Sequence, residues 1–184
     1  MLAWLTGRDG PRHTAGELYG RVVAEARRLA FYAGLGVPDT PEGRYELIAL
    51  HLFLLLERLR RDGSAGEAVS RHVLEAFVTD MDDCMREMGV GDLTVPKRVK
   101  RAAAGFYERA GAYRAGLEAD GRDALAAALQ GYIFGAVNAP EEAAQLAAYM
   151  RSNATHLDAI PSRDVLAGRV VFIALPEMAK RGQP

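Results

Sequence analysis

The chain has 184 residues, 49% of them hydrophobic, with a net charge of −1, which is enough apolar mass for one compact domain with a real core. That balance excludes a dedicated nucleic-acid binder, whose phosphate contacts demand a strong excess of Lys and Arg, so any basic patch is local. The lone Cys84 excludes an intramolecular disulfide, and no secretory pattern opens the chain, so a reducing, cytoplasmic setting is expected.

Residues 1–14, with Gly7, Gly10 and Pro11, lack periodicity and read as a flexible leader whose Leu2, Trp4 and Leu5 leave an apolar tip for a membrane or partner. Gly16 to Tyr32 carries Leu18, Val22, Ala26 and Leu29 at helical spacing, and Gly34, Gly36 and Pro38 stop it. The next helix starts with Asp39 or Thr40 as N-cap and Pro41 in the first turn. Glu42 completes a capping-box-like pattern if Asp39 is the cap. This helix runs to about Arg61, and its apolar stretch Leu47–Leu56, broken by His51, is about half the length of a membrane span. A turn at Asp62, Gly63, Ser64 and Gly66 leads into Glu67–Met88, where Val69, Val73, Phe77, Met81, Cys84 and Met88 form one apolar stripe. The two helices are therefore predicted to form an antiparallel hairpin, ended by Gly89 and Gly91.

Pro96 restarts a helix with Val99, Ala103, Phe106, Ala110, Tyr113 and Leu117 on one face, and Arg122–Phe134 and Pro140–His156 give two more. In Ser162–Leu175, Ser162 and Asp164 suggest a helix start while V-V-F-I resembles a strand, and the helical reading is preferred. The expected fold is all-α: residues 15–184 form a single-domain bundle of about six to seven helices with a central hairpin of 41–61 and 67–88.

At about 100° per residue, Arg44, His51 and Arg58 fall on one line of an apolar helix, while Asp80, Asp83 and Glu87 lie along one edge of the next. Antiparallel pairing would bring the opposite signs together, which predicts a buried or half-buried polar seam of Arg44, His51, Asp80, Asp83 and Glu87. Such a seam can be structural, fixing the register of two apolar helices, or it can line a site. No Glu precedes a His by three residues, so the spacing of a bundle metal centre is missing, and no metal or cofactor is expected. Cys84 on the apolar stripe reads as a small core residue rather than a nucleophile. His13, His72 and His156 lack a triad or zinc spacing, and Gly89–Asp92 lies in no phosphate-loop context.

Lys97, Arg98, Lys100 and Arg101 open the helix after Pro96, where positive charge opposes the helix dipole. They read either as a solvated face or as a docking patch for anionic headgroups, ribosomal phosphate or an acidic partner. Met81, Met85 and Met88, with Leu52, Phe53 and Leu56, read either as core or as an adaptable apolar groove.

The ordered set F-Y-x-G-x-G-V-P-D-T-x-x-G-R-Y-E-L-I-x-L-H-x-F-L, then D-M-D, then R-E-M-G-V-G-D-L-x-V-P-K-R-V-K, resembles the ubiquinol-cytochrome c chaperone family over roughly Leu18 to Tyr113. The resemblance implies a helical, non-enzymatic assembly factor that binds newly made cytochrome b of the respiratory bc1 complex. In mitochondria such proteins work near the ribosomal tunnel exit with a small partner. The family positions present here are Phe31, Tyr32, Pro38, Asp39, Thr40, Gly43, Arg44, His51, Asp80, Asp82, Arg86, Glu87, Gly89, Gly91, Asp92, Pro96, Lys97 and Lys100. With no targeting extension or membrane anchor recognised, and with Arg, Ala and Gly abundant, a bacterial cytoplasmic member is expected, peripheral to the inner membrane. The competing expectation is a helical carrier or enzyme enclosing a haem- or quinone-like ligand, with His51 as axial ligand or proton donor.

Overall fold

The computed structural model describes residues 10–121 and 123–175, and every regular element among them is helical. Helix α1 (Gly10–Ala26) buries Ala15, Leu18, Tyr19, Val22 and Ala26, as the periodicity requires. It begins inside the expected leader, at Gly10; the apolar tip at Leu2, Trp4 and Leu5 lies outside the described residues. It also stops short of the predicted end, and Leu29, expected on its apolar face, is exposed. A single π turn, Ala30–Gly34, follows and swings Phe31 into the core. Gly36, at φ 66°, supplies the left-handed step that turns the chain toward the next helix.

Helix α2 (Pro41–Leu59) starts as Pro41 and the cap dictate. Thr40 is the N-cap, its Oγ1 accepting from the Gly43 N–H at 3.1 Å, while Asp39 is occupied by the Arg44 guanidinium instead. Gly43 sits where a Cβ would lie 2.0 Å from the Pro38 carbonyl oxygen. Gly43→Ala must displace that backbone, and it is expected to cost about 3 kcal/mol, the upper end for overpacking, as a lowered urea midpoint. From Leu47 to Leu55 every residue of α2 is buried, because α1, α3, α4 and α6 all pack on it. A helix that is apolar all round becomes the hub of a bundle.

A 3₁₀ turn, Arg60–Asp62, leads directly into α3 (Gly63–Glu87), so the predicted turn at Gly63–Gly66 is already helical, with Gly63 at φ 58°. Val69, Val73, Phe77 and Met81 are buried as expected, but the stripe then leaves the core: Cys84 is half-buried and Met88 exposed. Helix α3 packs most extensively on α1, not on its chain neighbour α2.

Helix α4 (Val95–Glu118) buries Val95, Val99, Phe106, Ala110 and Tyr113. Helix α5 (Asp123–Leu129) continues as a π turn over Gln130–Phe134, and α6 (Pro140–Ala159) buries Leu146, Tyr149, Met150, Asn153 and Leu157. The final segment is helical only over α7 (Ser162–Val165). Residues 169–175 take no regular secondary structure, with Val170, Phe172 and Leu175 buried and Val171 and Ile173 exposed. The V-V-F-I run is thus neither the preferred helix nor a sheet strand. Side chains of α6 take the place of a partner strand: Asn153 Oδ1 accepts from the Ile173 N–H at 2.8 Å, and His156 Nε2 donates to the Val171 carbonyl at 3.1 Å. No described helix is long and apolar enough to cross a membrane.

Candidate binding surface and its buried support

The polar line along α2 exists, but it faces a different helix from the one expected. His51 is fully buried. Its Nδ1 lies 2.7 Å from the Leu47 carbonyl, which can only accept, so Nδ1 carries the proton and Nε2 accepts from the Tyr149 hydroxyl of α6 at 2.8 Å. Phe31, Tyr149 and Phe172 surround the imidazole edge-on, with centroids 5.4, 5.7 and 5.1 Å away. Burial pushes the imidazole down to about 4, so it is neutral near pH 7. With both nitrogens engaged, it offers neither a free axial ligand nor a free proton donor. The Tyr149 oxygen also lies 3.3 Å from Glu25 Oε1, whose carboxyl burial raises and Arg28, at 3.2 Å, lowers.

Arg58, two turns further along α2, is buried as well. Its Nε donates to the Leu157 carbonyl at 2.9 Å, Nη2 to the Ile160 carbonyl at 2.7 Å and Nη1 to Asp62 Oδ2 at 2.8 Å. The guanidinium thereby caps the C-terminus of α6, where the last carbonyls have no helical partners. The third member of the line, Arg44, is 60% exposed and pairs with Asp39 at 2.8 Å.

The predicted seam of Arg44, His51, Asp80, Asp83 and Glu87 is therefore not formed. Asp80 accepts from the Tyr19 hydroxyl of α1 at 2.7 Å, and Asp83 and Glu87 are exposed. The reason is the packing order: Asp80 of α3 meets α1, while His51 and Arg58 of α2 meet α6. Nor do α2 and α3 leave a groove between them, since Leu52 and Phe53 are core and Met81 is buried. A second polar link, absent from the sequence reading, joins α2 to α4. Glu46 receives a two-pronged bond from Arg109, at 2.6 and 2.5 Å, and the guanidinium stacks 4.7 Å from the Tyr132 ring centroid. The only sequence signal for it is a carboxylate in an apolar helix, with Ala49 and Leu50 at i+3 and i+4 from Glu46.

The remaining predicted residues divide by burial. Phe31 and His51 are interior, and Tyr32 is half-buried with its hydroxyl donating to the Ala26 carbonyl at 2.9 Å. Asp82, Arg86 and Asp92 come together: Arg86 Nε donates to Asp82 at 2.5 Å and its Nη1 to Asp92, so one guanidinium ties the end of α3 to the loop before α4. That loop holds Leu93 99% exposed, and Met88 at the end of α3 is 55% exposed. Lys97, Arg98, Lys100 and Arg101 follow at once, all exposed and without a carboxylate partner among the described residues. Cys84 is half-buried, and burial with the Asp80 and Glu87 carboxylates pushes its thiol up, away from a reactive thiolate.

Several known proteins are similar to this chain. The family model described as ubiquinol-cytochrome C chaperone matches residues 33–172. Ubiquinol-cytochrome-c reductase complex assembly factor 1 of Xenopus laevis is 25% identical over 148 residues, covering 80% of this chain and 74% of that protein. The human protein of the same name is 24% identical over 161 residues, covering 87% of this chain and 54% of that one. The crystal structure of the Cbp3 homolog from Brucella abortus superimposes with a TM-score of 0.86 at 37% identity, covering 95% of this chain and 98% of that chain. Matched by the family model over residues 33–172, the chain belongs to the ubiquinol-cytochrome C chaperone family.

Proposed function

We propose that the protein is a non-enzymatic chaperone that binds newly made cytochrome b and supports assembly of ubiquinol-cytochrome c reductase, working on the cytoplasmic side of the inner membrane. A multispanning membrane protein exposes Leu-, Ile- and Phe-rich helices while it is made, and a holder needs apolar surface that does not itself insert. With α2 sealed, that surface is sought on the outer side of α3. The observation that carries the reading is the outer flank of the α3 stripe: Leu74, Val78, Met85 and Met88 project within about 80° of one another on a helical wheel. Val78 and Met88 are exposed and Leu74 and Met85 half-buried. Two of the four are methionines, which repack against irregular partners. Asp39, Arg44, Asp80, Asp82, Arg86, Glu87, Asp92, Lys97 and Lys100 provide polar rim and bracing, and Phe31, Tyr32 and His51 support the fold beneath.

A photocrosslinker placed at Val78 or Met88 during cytochrome b synthesis is expected to capture the client. A Val78→Glu/Met88→Glu variant, both sites being solvent-exposed, is expected to recover about tenfold less cytochrome b in a tagged pulldown. Equal recovery by wild type and variant, or no enrichment of cytochrome b at all, sinks the reading.

A further inference from the structure

We propose that the corner between α3 and α4 is a docking surface for an anionic lipid bilayer, with Leu93 entering the interface and Lys97, Arg98, Lys100 and Arg101 lying over the headgroups. This deepens the assembly-factor reading by naming what holds the protein beside its client. It is measured with no client present, so its failure leaves client capture standing.

Leu93 is the most exposed large apolar side chain among the described residues. It is not on a loose end. Arg86 binds Asp82 at one side of the loop and Asp92 at the other, the Thr94 and Val95 N–H groups donate to the Gly91 carbonyl at 2.7 and 3.2 Å, and Val95 is buried. A leucine held rigidly in water gains only by leaving it, and a braced loop loses little conformational entropy in doing so. The four cations lie in the first two turns of α4, and Lys97, Lys100 and Arg101 project opposite the buried Val95 and Val99, away from the body. At that helix end the peptide dipoles already present positive charge, so the cluster is destabilising until an anionic surface covers it. The acidic neighbour Asp92 is matched by Arg86 and does not pair with the cluster. A charged polymer such as RNA would use the cations but has no use for Leu93; a bilayer uses both.

Full-length protein is mixed with phosphatidylcholine vesicles, with and without phosphatidylglycerol, and bound fractions are measured by sedimentation. Binding is expected only with phosphatidylglycerol, falling as salt rises. Each cation removed should weaken it about fivefold, so reversing all four to Glu should lose at least a hundredfold, and Leu93→Ser about tenfold. In a Trp4→Phe/Leu93→Trp variant, emission should shift to the blue on adding anionic vesicles. Leu93 and the four cations are exposed, so changes at these positions should leave the melting point at the wild-type value; should the fourfold variant unfold, Leu93→Ser and the fluorescence decide alone. Three results overturn the proposal: no binding to anionic vesicles, binding indifferent to Leu93→Ser, or a blue shift of native Trp4 with position 93 still in water.

Discussion

Arg58→Leu is expected to lower stability by about 3–5 kcal/mol, read as a drop in urea midpoint with the slope retained. The substitution keeps an apolar stem on α2 but removes three anchors at once: the capped carbonyls of Leu157 and Ile160, and the charge partner of Asp62. The Asp62 side chain is only 1% exposed, with one oxygen on Arg58 and the other on the Ser162 hydroxyl at 2.5 Å, so the carboxylate would be left buried and uncompensated. Arg58→Lys should recover only part, because an ammonium cannot reach two carbonyls and a carboxylate in one plane. Adding Asp62→Asn to Arg58→Leu should cost less than the sum of the two single changes, since the orphaned charge is gone. Additive costs would show that Arg58 and Asp62 stabilise the fold independently of each other.

Acidification is expected to destabilise the fold through His51. The folded imidazole sits at about 4, against an unfolded value of 6.5, so between these values the unfolded chain binds a proton that the native state refuses. The stabilisation is complete above about pH 6.5 and is lost as pH falls toward about 4, amounting to about 3 kcal/mol across the window. Nothing close to the ring compensates a positive charge: Leu47 and Tyr149 hold its nitrogens, Phe31 and Phe172 its faces, and Glu25 lies one hydroxyl away. The buried carboxyls of Glu25 and Glu46 are raised, so they favour the folded state as pH falls and act with the opposite sign. Comparison with His51→Gln removes their contribution, since both proteins carry them. The variant should be less stable at pH 7.5, and the difference from wild type should shrink by about 3 kcal/mol by pH 4.5. A pH-independent difference would mean that the native imidazole accepts a proton freely.

Much of the architecture was legible in local chemistry. Pro41 and Thr40 marked the start of α2, Pro96 the start of α4 and Pro140 that of α6, since proline in a first turn forfeits no hydrogen bond. Val69, Val73, Phe77 and Met81 fell inside because their spacing put them on one face. Residues 169–175 depart from the helical reading because their backbone is held by Asn153 and His156 of α6, a contact that no pattern within the segment encodes. The same holds for the polar seam. A helical projection correctly put His51 and Arg58 on one line, but it gives a direction from the axis and not the identity of the helix waiting there.

The sequence by itself determined that the chain is a helical bundle, where most helices begin, and, through Phe31 to Lys100, which family it joins. Those properties depend on spacing, caps and motif order, all of which are local. Only the tertiary structure decided that α6 receives His51 and Arg58 of α2, that α1 receives Asp80 of α3, and that Leu93 stands in water on a loop pinned by Arg86. A helix buried on all sides has several neighbours to choose from, and the choice is made by the packing of the whole core.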